Sequence, residues 1–410
     1  MNYLTHSTLK QLLWVGLIGL AACKSTNVPL NSYNNQNQTA SPAVDIHKVS
    51  AVENQACTFV KDGFGPQGKV KVRIEEVASG LEVPWGIAFL SRGDILVTER
   101  PGRVRLVQNG KLQNTVVASV KVAKSGEGGL LGIAVHPDFA QNRFFYLYYT
   151  ADKNGSRVNR VERWRLSSDR RKASPDRIII DDIPAAVYHD GGRLRFGPDG
   201  MLYIGTGDGR KPNSSQDINS LAGKILRLTP DGQVPQDNPF PNNPVFVTGI
   251  RNTQGFDWLN KSTLWVTDHG PSGELGRTGH DKVSIAKVGD NLGWPVIYGC
   301  ESRKGMVTPS LSWKQAVPPG GAAIYTGNTI LEWKGNLIVG TLGSRHLHRV
   351  VFDLANPRRV RLHEVYFQNQ LGRLREVAMG PDGQLYVTTS NCDGRGECPP
   401  QKDKILRITR

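Results

Sequence analysis

The sequence predicts an all-β fold, a six-bladed β-propeller of four-stranded antiparallel blades. Three observations lead there: a strand pattern that recurs six times, a high glycine content, and one unmatched strand ahead of the first repeat. From about residue 70, each unit runs as a short apolar strand, a turn, and a strand rich in Leu, Tyr, Trp and Val. A variable loop and a strand alternating basic with apolar residues complete it. The middle strands read DILVTER, FFYLYYT, MLYIGTGD, TLWVTDHG, NLIVGTLG and QLYVTTSN. Their successors read RVRLV, VERWRL, KILRLT, DKVSIAK, LHRVVF and KILRITR. Such alternation marks strands, and Gly-Asp, Pro-Asp-Gly and Lys-Gly-Asn mark hairpins between them. One unit cannot bury its faces alone, so the repeats must stack and close a ring. The 45 glycines in 410 residues suit a turn-rich chain. The unmatched segment VKVRIEEVA begins at Val70, and KILRITR ends the chain. Pairing the two closes the ring and removes an exposed edge. A seven-bladed ring or a sandwich is the alternative architecture.

Ahead of the repeats, Lys10 precedes an apolar run from Leu12 to Ala22, too short to span a bilayer but suited to a signal peptide. The run ends in Leu20-Ala21-Ala22-Cys23, which resembles a bacterial lipobox and implies lipidation of Cys23. The predicted organisation is therefore a signal peptide over 1–22, a lipidated flexible tether over 23–69, and the propeller over 70–410. That describes an exported protein, anchored to a membrane by lipid and facing the periplasm or cell exterior. The tether assignment rests on a Ser-, Thr-, Asn-, Gln- and Pro-rich stretch without apolar periodicity.

With Cys23 set aside, Cys57, Cys300, Cys392 and Cys398 remain, an even number that suits disulfides in an oxidising compartment. Three pairings are open. The short Gly-rich loop between Cys392 and Cys398 favours a bridge there, leaving Cys57 for Cys300. No zinc spacing is present. The net charge of +15 is spread through strands and loops, with no lysine-rich block and no nucleic-acid motif, so a nucleic-acid partner is not expected.

In a propeller, chemistry gathers from strand ends scattered through the chain. Four segments are dense in unusual residues: GEGGLLGIAVHPDF (126–139), HDGGRLRFGPDGMLYIGTGD (189–208), GIRNTQG (249–255) with DHGPSGE from Asp268, and GRLREVAMGPDGQLYV (372–387). A neutral imidazole such as that of His189 suits proton abstraction near neutral pH. Two glycines follow it, which suggests close approach to a planar ligand. Asp208 reads as an orienting group or a turn cap. Arg373 and Arg375 alternate on a strand and so face one side, and guanidinium forks bind carboxylates bidentately.

Taken in order, with NLGWP at 291–295 between them, these segments resemble the glucose/sorbosone dehydrogenase family, which includes soluble aldose dehydrogenases that use pyrroloquinoline quinone (PQQ). The resemblance runs from Gly80 to the C-terminus. It implies oxidation of an aldose sugar to its lactone by hydride transfer to PQQ, a tricarboxylate, with electrons passed on to a respiratory acceptor. It makes His189 the catalytic base and Glu127, Arg251, Asn252, Arg373 and Arg375 cofactor ligands. It also implies a calcium site, for which Gly270, Pro271 and Asp281 are the candidates.

Three departures stand against this pattern. The family's quinone-reaching lysine is absent from Thr341-Leu342-Gly343-Ser344-Arg345, where Arg345 is the candidate substitute. The calcium loop is longer, with Lys282 in place of a glutamate, and a cation there repels calcium. Thr253 replaces the usual proline after Arg251-Asn252. The competing reading is a non-catalytic glycan- or protein-binding propeller that keeps the ring.

Overall fold

In the computed structural model, which describes residues 57–90, 93–353 and 355–410, each repeat forms one antiparallel sheet. Blades 1 to 6 cover residues 84–119, 130–184, 193–247, 255–313, 319–366 and 374–409. Their first strands are Pro84–Phe89, Leu130–Val135, Arg193–Phe196, Gly255–Asn260, Pro319–Ile324 and Leu374–Met379, which pack against one another around the axis. The fourth strand of blade 6 is Arg73–Leu81, antiparallel to Asp403–Thr409 with Arg73 opposite Thr409 and Leu81 opposite Asp403. The ring is thus closed by pairing the front of the propeller with its end, as the unmatched strand predicts.

Six buried clusters hold the ring, one at each blade-to-blade contact among the described residues. Phe145 and Trp164 of blade 2 meet Leu96 and Val104 of blade 1, and Trp265 and Trp313 of blade 4 meet Leu337 and Val350 of blade 5. At the closing contact, Leu81 and Ile405 of blade 6 meet Ile87 and Val97 of blade 1. Each such side chain, fully buried, contributes about 1.5–3 kcal/mol.

The PDGxLY repeat has a physical basis here. Asp199 Oδ1 accepts from the Met201 amide at 3.1 Å, while its Oδ2 accepts from the Tyr203 hydroxyl at 3.0 Å. Asp382 does the same with Gln384 and Tyr386, at 3.1 and 2.8 Å. Gly200 and Gly383 both turn at φ 74°, a conformation that favours glycine.

Two features differ from the sequence expectation. Blade 4 carries a fifth strand, Thr58–Val60, parallel to Leu311–Trp313. The tether assigned to 23–69 is therefore corrected over residues 57–69, which lie on the propeller. The Trp313 indole donates to the Phe64 carbonyl at 2.9 Å, and Gln67 bridges to Val365. A strand of three residues leaves too little alternation to be read from sequence. The disulfides are Cys57–Cys300, which pins this strap to blade 4, and Cys392–Cys398. The signal peptide, the lipidated Cys23 and the rest of the tether lie outside the described residues. Among the described residues no helix is long and apolar enough to cross a membrane.

Beneath the strap lie three histidines of blade 5. Phe64 stacks on His346, and His348 lies between His346 and His363. His346 Nδ1 meets the Ser344 carbonyl at 3.1 Å, so that nitrogen carries the hydrogen and Nε2 accepts from His348 Nδ1 at 3.1 Å. Burial depresses all three rings, His346 to about 4 and His348 well below its ordinary value. Groups buried neutral stabilise the fold above their unfolded pKa, near 6.5, and lose that contribution as pH falls through the folded value. The thermal midpoint should fall between about pH 6.5 and pH 4, and less steeply in His346→Asn. At the closing contact, Leu81→Ala should lower unfolding stability by about 2–5 kcal/mol, read from the urea midpoint.

Candidate active site

The loops at one end of the ring enclose a cavity of about 540 Å³, lined by residues of blades 3 to 6 and of the connections between blades, including Glu127 between blades 1 and 2. His189 enters it from the loop before blade 3, in the left-handed region at φ 69°, a strained conformation that persists only where the surroundings impose it. Gly191 and Gly192 follow, at φ 66° and 116°. A Cβ on Gly191 would stand 2.6 Å from the Gly205 carbonyl, and one on Gly192 would stand 2.9 Å from Leu131 Cβ. Gly191 thus packs on the backbone of blade 3 and Gly192 against Leu131 and Trp85 of blades 2 and 1, a steric reason for glycine apart from any ligand.

His189 Nδ1 lies 2.7 Å from Asp208 Oδ1. Asp208 is fully buried and also accepts from the Arg210 amide at 2.8 Å and the Trp294 indole at 2.9 Å. A carboxylate so held places the hydrogen on Nδ1 and leaves Nε2 as the free acceptor. Both readings of Asp208 have a counterpart in the geometry: it caps its own turn through the Arg210 amide and holds the His189 ring through Nδ1. Glu127 Oε2 accepts from the His189 amide at 3.1 Å and Oε1 from Arg395 at 3.0 Å. Burial raises the Glu127 carboxyl, but that amide together with His269 and Arg395 outweighs it and holds the group below its ordinary range.

Arg251 and Asn252 are placed by Asp268, whose carboxylate accepts both backbone amides, at 3.1–3.2 and 2.8 Å. Their side chains reach the cavity, where Arg251 Nε and Asn252 Nδ2 are buried without a partner. Arg373 and Arg375 share Asp393 Oδ2, at 2.8 and 3.5 Å, and Arg375 also donates to Gln254 Oε1. Burial lowers Arg375 to about 10, with Asp393 opposing that shift, so it remains a cation at neutral pH. Its Nε is likewise unpartnered. Five guanidiniums (Arg210, Arg251, Arg373, Arg375, Arg395) face two carboxylates (Glu127, Glu274) across the cavity lining, and Asp393 behind Arg373 and Arg375 is a third, which leaves a surplus of two positive charges.

Two candidate groups sit differently. Arg345 lines a separate outer cleft with Gly372, Asn391 and Lys402, whereas Leu342 and Pro318 form an apolar wall of the His189 cavity. Arg345 is thus not brought to the site, because the chain turns away at φ 52° after Leu342. Gly270, Pro271 and Asp281 do not present calcium's shell of six to eight oxygens. Asp281 Oδ1 accepts the Gly270 amide at 2.9 Å, and Oδ2 accepts the Val317 amide. Burial raises Asp281 to about 6 against those amides, and the Lys282 ammonium stands 3.4 Å from Asp268. Among the described residues no group of three or more His, Cys, Asp or Glu is placed to hold a metal.

Sequence reasoning passed over several lining groups. His269 is partly buried, its Nε2 at 2.6 Å from the Pro319 carbonyl, and desolvation beside Arg251 lowers it to about 3, so the ring is neutral. Tyr188 stands 41% exposed at the mouth, with Arg210 and Arg395 over its ring at 6.0 and 5.5 Å. Asp393, Gln254 and Glu274 also escaped notice. The DHGPSGE motif, which contains His269 and Glu274, and GIRNTQG, which contains Gln254, carried the only signals for any of them.

Comparison with known proteins gives one consistent answer. The description of the glucose/sorbosone dehydrogenase family matches residues 81–406. The aldose sugar dehydrogenase of Escherichia coli (strain K12) is 32% identical over 79% of this chain and 91% of its own. A solved structure of a putative oxidoreductase (glucose dehydrogenase) from Thermus thermophilus is 43% identical, with a TM-score of 0.76, covering 82% of this chain and 100% of that one. The PQQ-bound form of aldose sugar dehydrogenase from Streptomyces coelicolor is 35% identical, with a TM-score of 0.74 over 84% of this chain and 99% of that one. With the fold, the ordered motifs and these matches in agreement, the chain belongs to the glucose/sorbosone dehydrogenase family.

Proposed function

We propose that this protein is a PQQ-dependent dehydrogenase that oxidises an aldose sugar to its lactone, with His189 as the base. The observation that carries this reading is the cationic, under-satisfied lining of the cavity. Of the lining residues, Arg251 Nε, Arg375 Nε and Asn252 Nδ2 are buried donors without acceptors, beside a surplus of two positive charges. Unsatisfied buried donors are rare and unfavourable, and a tricarboxylate supplies both acceptors and compensating charge. Arg251, Arg373, Arg375 and Asn252 would hold it, with Glu127 beside them. When bound, PQQ supplies a quinone that accepts a hydride.

The protein's own residues manage the proton. Asp208 fixes the His189 ring through Nδ1, and Nε2 takes the sugar hydroxyl proton as the carbon gives up its hydride. Trp294 and the Arg210 amide hold Asp208 in place, so the base is oriented before substrate arrives. Asp393 and Gln254 do the same for Arg375. Calcium takes no part in this derivation, because the residues around Asp281 do not fit it. The two disulfides support work in an oxidising compartment, where a respiratory acceptor would take the electrons.

Titrating the purified protein with PQQ and assaying dye reduction with a panel of aldoses tests the reading; no PQQ binding at micromolar concentrations would sink it. Arg375→Ala should weaken PQQ binding by at least about tenfold, since a charge-assisted hydrogen bond is lost from a buried site. His189→Ala should keep PQQ bound while turnover falls by about 10²–10⁴-fold. Activity retained in that variant would show that another group is the base.

A further inference from the structure

One side chain that the motifs did not single out reaches the reactive end of His189. Glu274 lies on a tight turn in which Ser272 bridges Thr278 and the Gly273 amide donates to the Arg277 carbonyl at 2.8 Å. Its Oε1 is 3.5 Å from His189 Nε2 and 2.8 Å from Arg251 Nη2, and its Oε2 accepts from the Ser272 amide. Burial raises its carboxyl, but that amide and Arg251 outweigh it and keep the group below its ordinary range, hence ionised at neutral pH. The next residue, Leu275, is 61% exposed. The turn therefore sends its carboxylate toward the cavity and its leucine into water, and it is the inward polar group that is informative. A carboxylate turned in against His189 and Arg251 points to a task in the cavity.

The chemistry at Nε2 supplies that task. In the dehydrogenase reading, on which this inference rests, the sugar carbon releases its hydride to the quinone, its hydroxyl proton passes to Nε2, and a carbonyl forms. The ring is then an imidazolium with hydrogens on both nitrogens. Asp208 already accepts the one on Nδ1. The other faces a cavity rich in guanidiniums, which repel a new cation. We propose that Glu274 is a second carboxylate of the acid–base apparatus, accepting the Nε2–H hydrogen bond of the His189 imidazolium and passing that proton to water. Its side chain is 29% exposed, so it has contact with solvent as well as with the ring.

The test uses the full protein with Glu274→Gln and Glu274→Asp, reading PQQ affinity by fluorescence quenching alongside kcat and KM for the best aldose. Glu274→Gln removes the charge while keeping an oxygen beside Arg251. Its kcat should fall by about ten- to a hundredfold with KM little changed, as expected for loss of a hydrogen bond to a charged group. PQQ should bind that variant at least as tightly as wild type, because an anion beside Arg251 is gone. Glu274→Asp should recover part of kcat. Opposite movement of turnover and cofactor affinity is the signature, since damage to the turn would weaken both. Unchanged kcat in Glu274→Gln, or a joint loss of kcat and PQQ affinity, would overturn the proposal. Failure of the wild-type protein to bind PQQ would instead overturn the dehydrogenase reading itself.

Discussion

An open arc of six blades would leave two apolar blade faces in water. The strand Arg73–Leu81, laid on Asp403–Thr409, prevents this. It buries Ala78 and Leu81 of the last blade against Ile87 and Val97 of the first. The cavity depends on that closure, because its lining runs from Glu127, between blades 1 and 2, round to Arg373, Arg375 and Arg395 of the last blade. Trp85 of blade 1 illustrates the dependence: Arg193 of blade 3 and Arg375 of blade 6 both lie over its ring, at 5.0 and 5.8 Å. Arg193 also pairs with Glu376 of blade 6, and Arg195 donates to carbonyls of Ala322 and Val377, so buried polar links tie opposing blades across the axis.

A second pattern is the use of aspartates to hold backbone rather than to do chemistry. Asp268 accepts the amides of Arg251 and Asn252, Asp281 those of Gly270 and Val317, and Asp403 those of Val83, Asn391 and Cys392. Buried carboxylates are stabilised by such amide bonds, and the loops gain a fixed geometry. This is why the loop after Asp268 is held in one geometry without presenting a cation site among the described residues. Asp208 follows the same pattern but adds an imidazole to its amide and indole donors, which converts a structural device into an orienting one.

The ring was legible in the sequence because strand alternation is local, and so was its closure, because one strand ahead of the first unit was left unmatched and the last unit lacked a fourth. Cys392 and Cys398 were readable as a pair for the same reason of proximity. His189, Arg251, Arg373 and Arg375 were found through ordered motifs, and all four line the one cavity. What escaped depends on contacts between loops distant in the chain. Asp393 meets Arg373 and Arg375 only because the Cys392–Cys398 loop folds back over blade 6. Trp294 meets Asp208 across 86 positions. Arg345 was misplaced because its distance from the missing lysine in sequence says nothing about the left-handed turn that directs it outward. Three-residue Thr58–Val60 was missed because a parallel edge strand so short has no pattern of its own.

The surplus charge of the cavity bears on the stability of the whole ring, not only on its ligand. Arg251, Arg373 and Arg375 are nearly buried and share two carboxylates, Glu274 and Asp393, which leaves the hub cationic. An anion held there by the closed ring alone would stabilise the folded state through its occupancy, more so as its concentration exceeds its dissociation constant. In the proposed reading the cofactor would then be a clasp at the hub of the propeller, while Arg73–Leu81 clasps the rim.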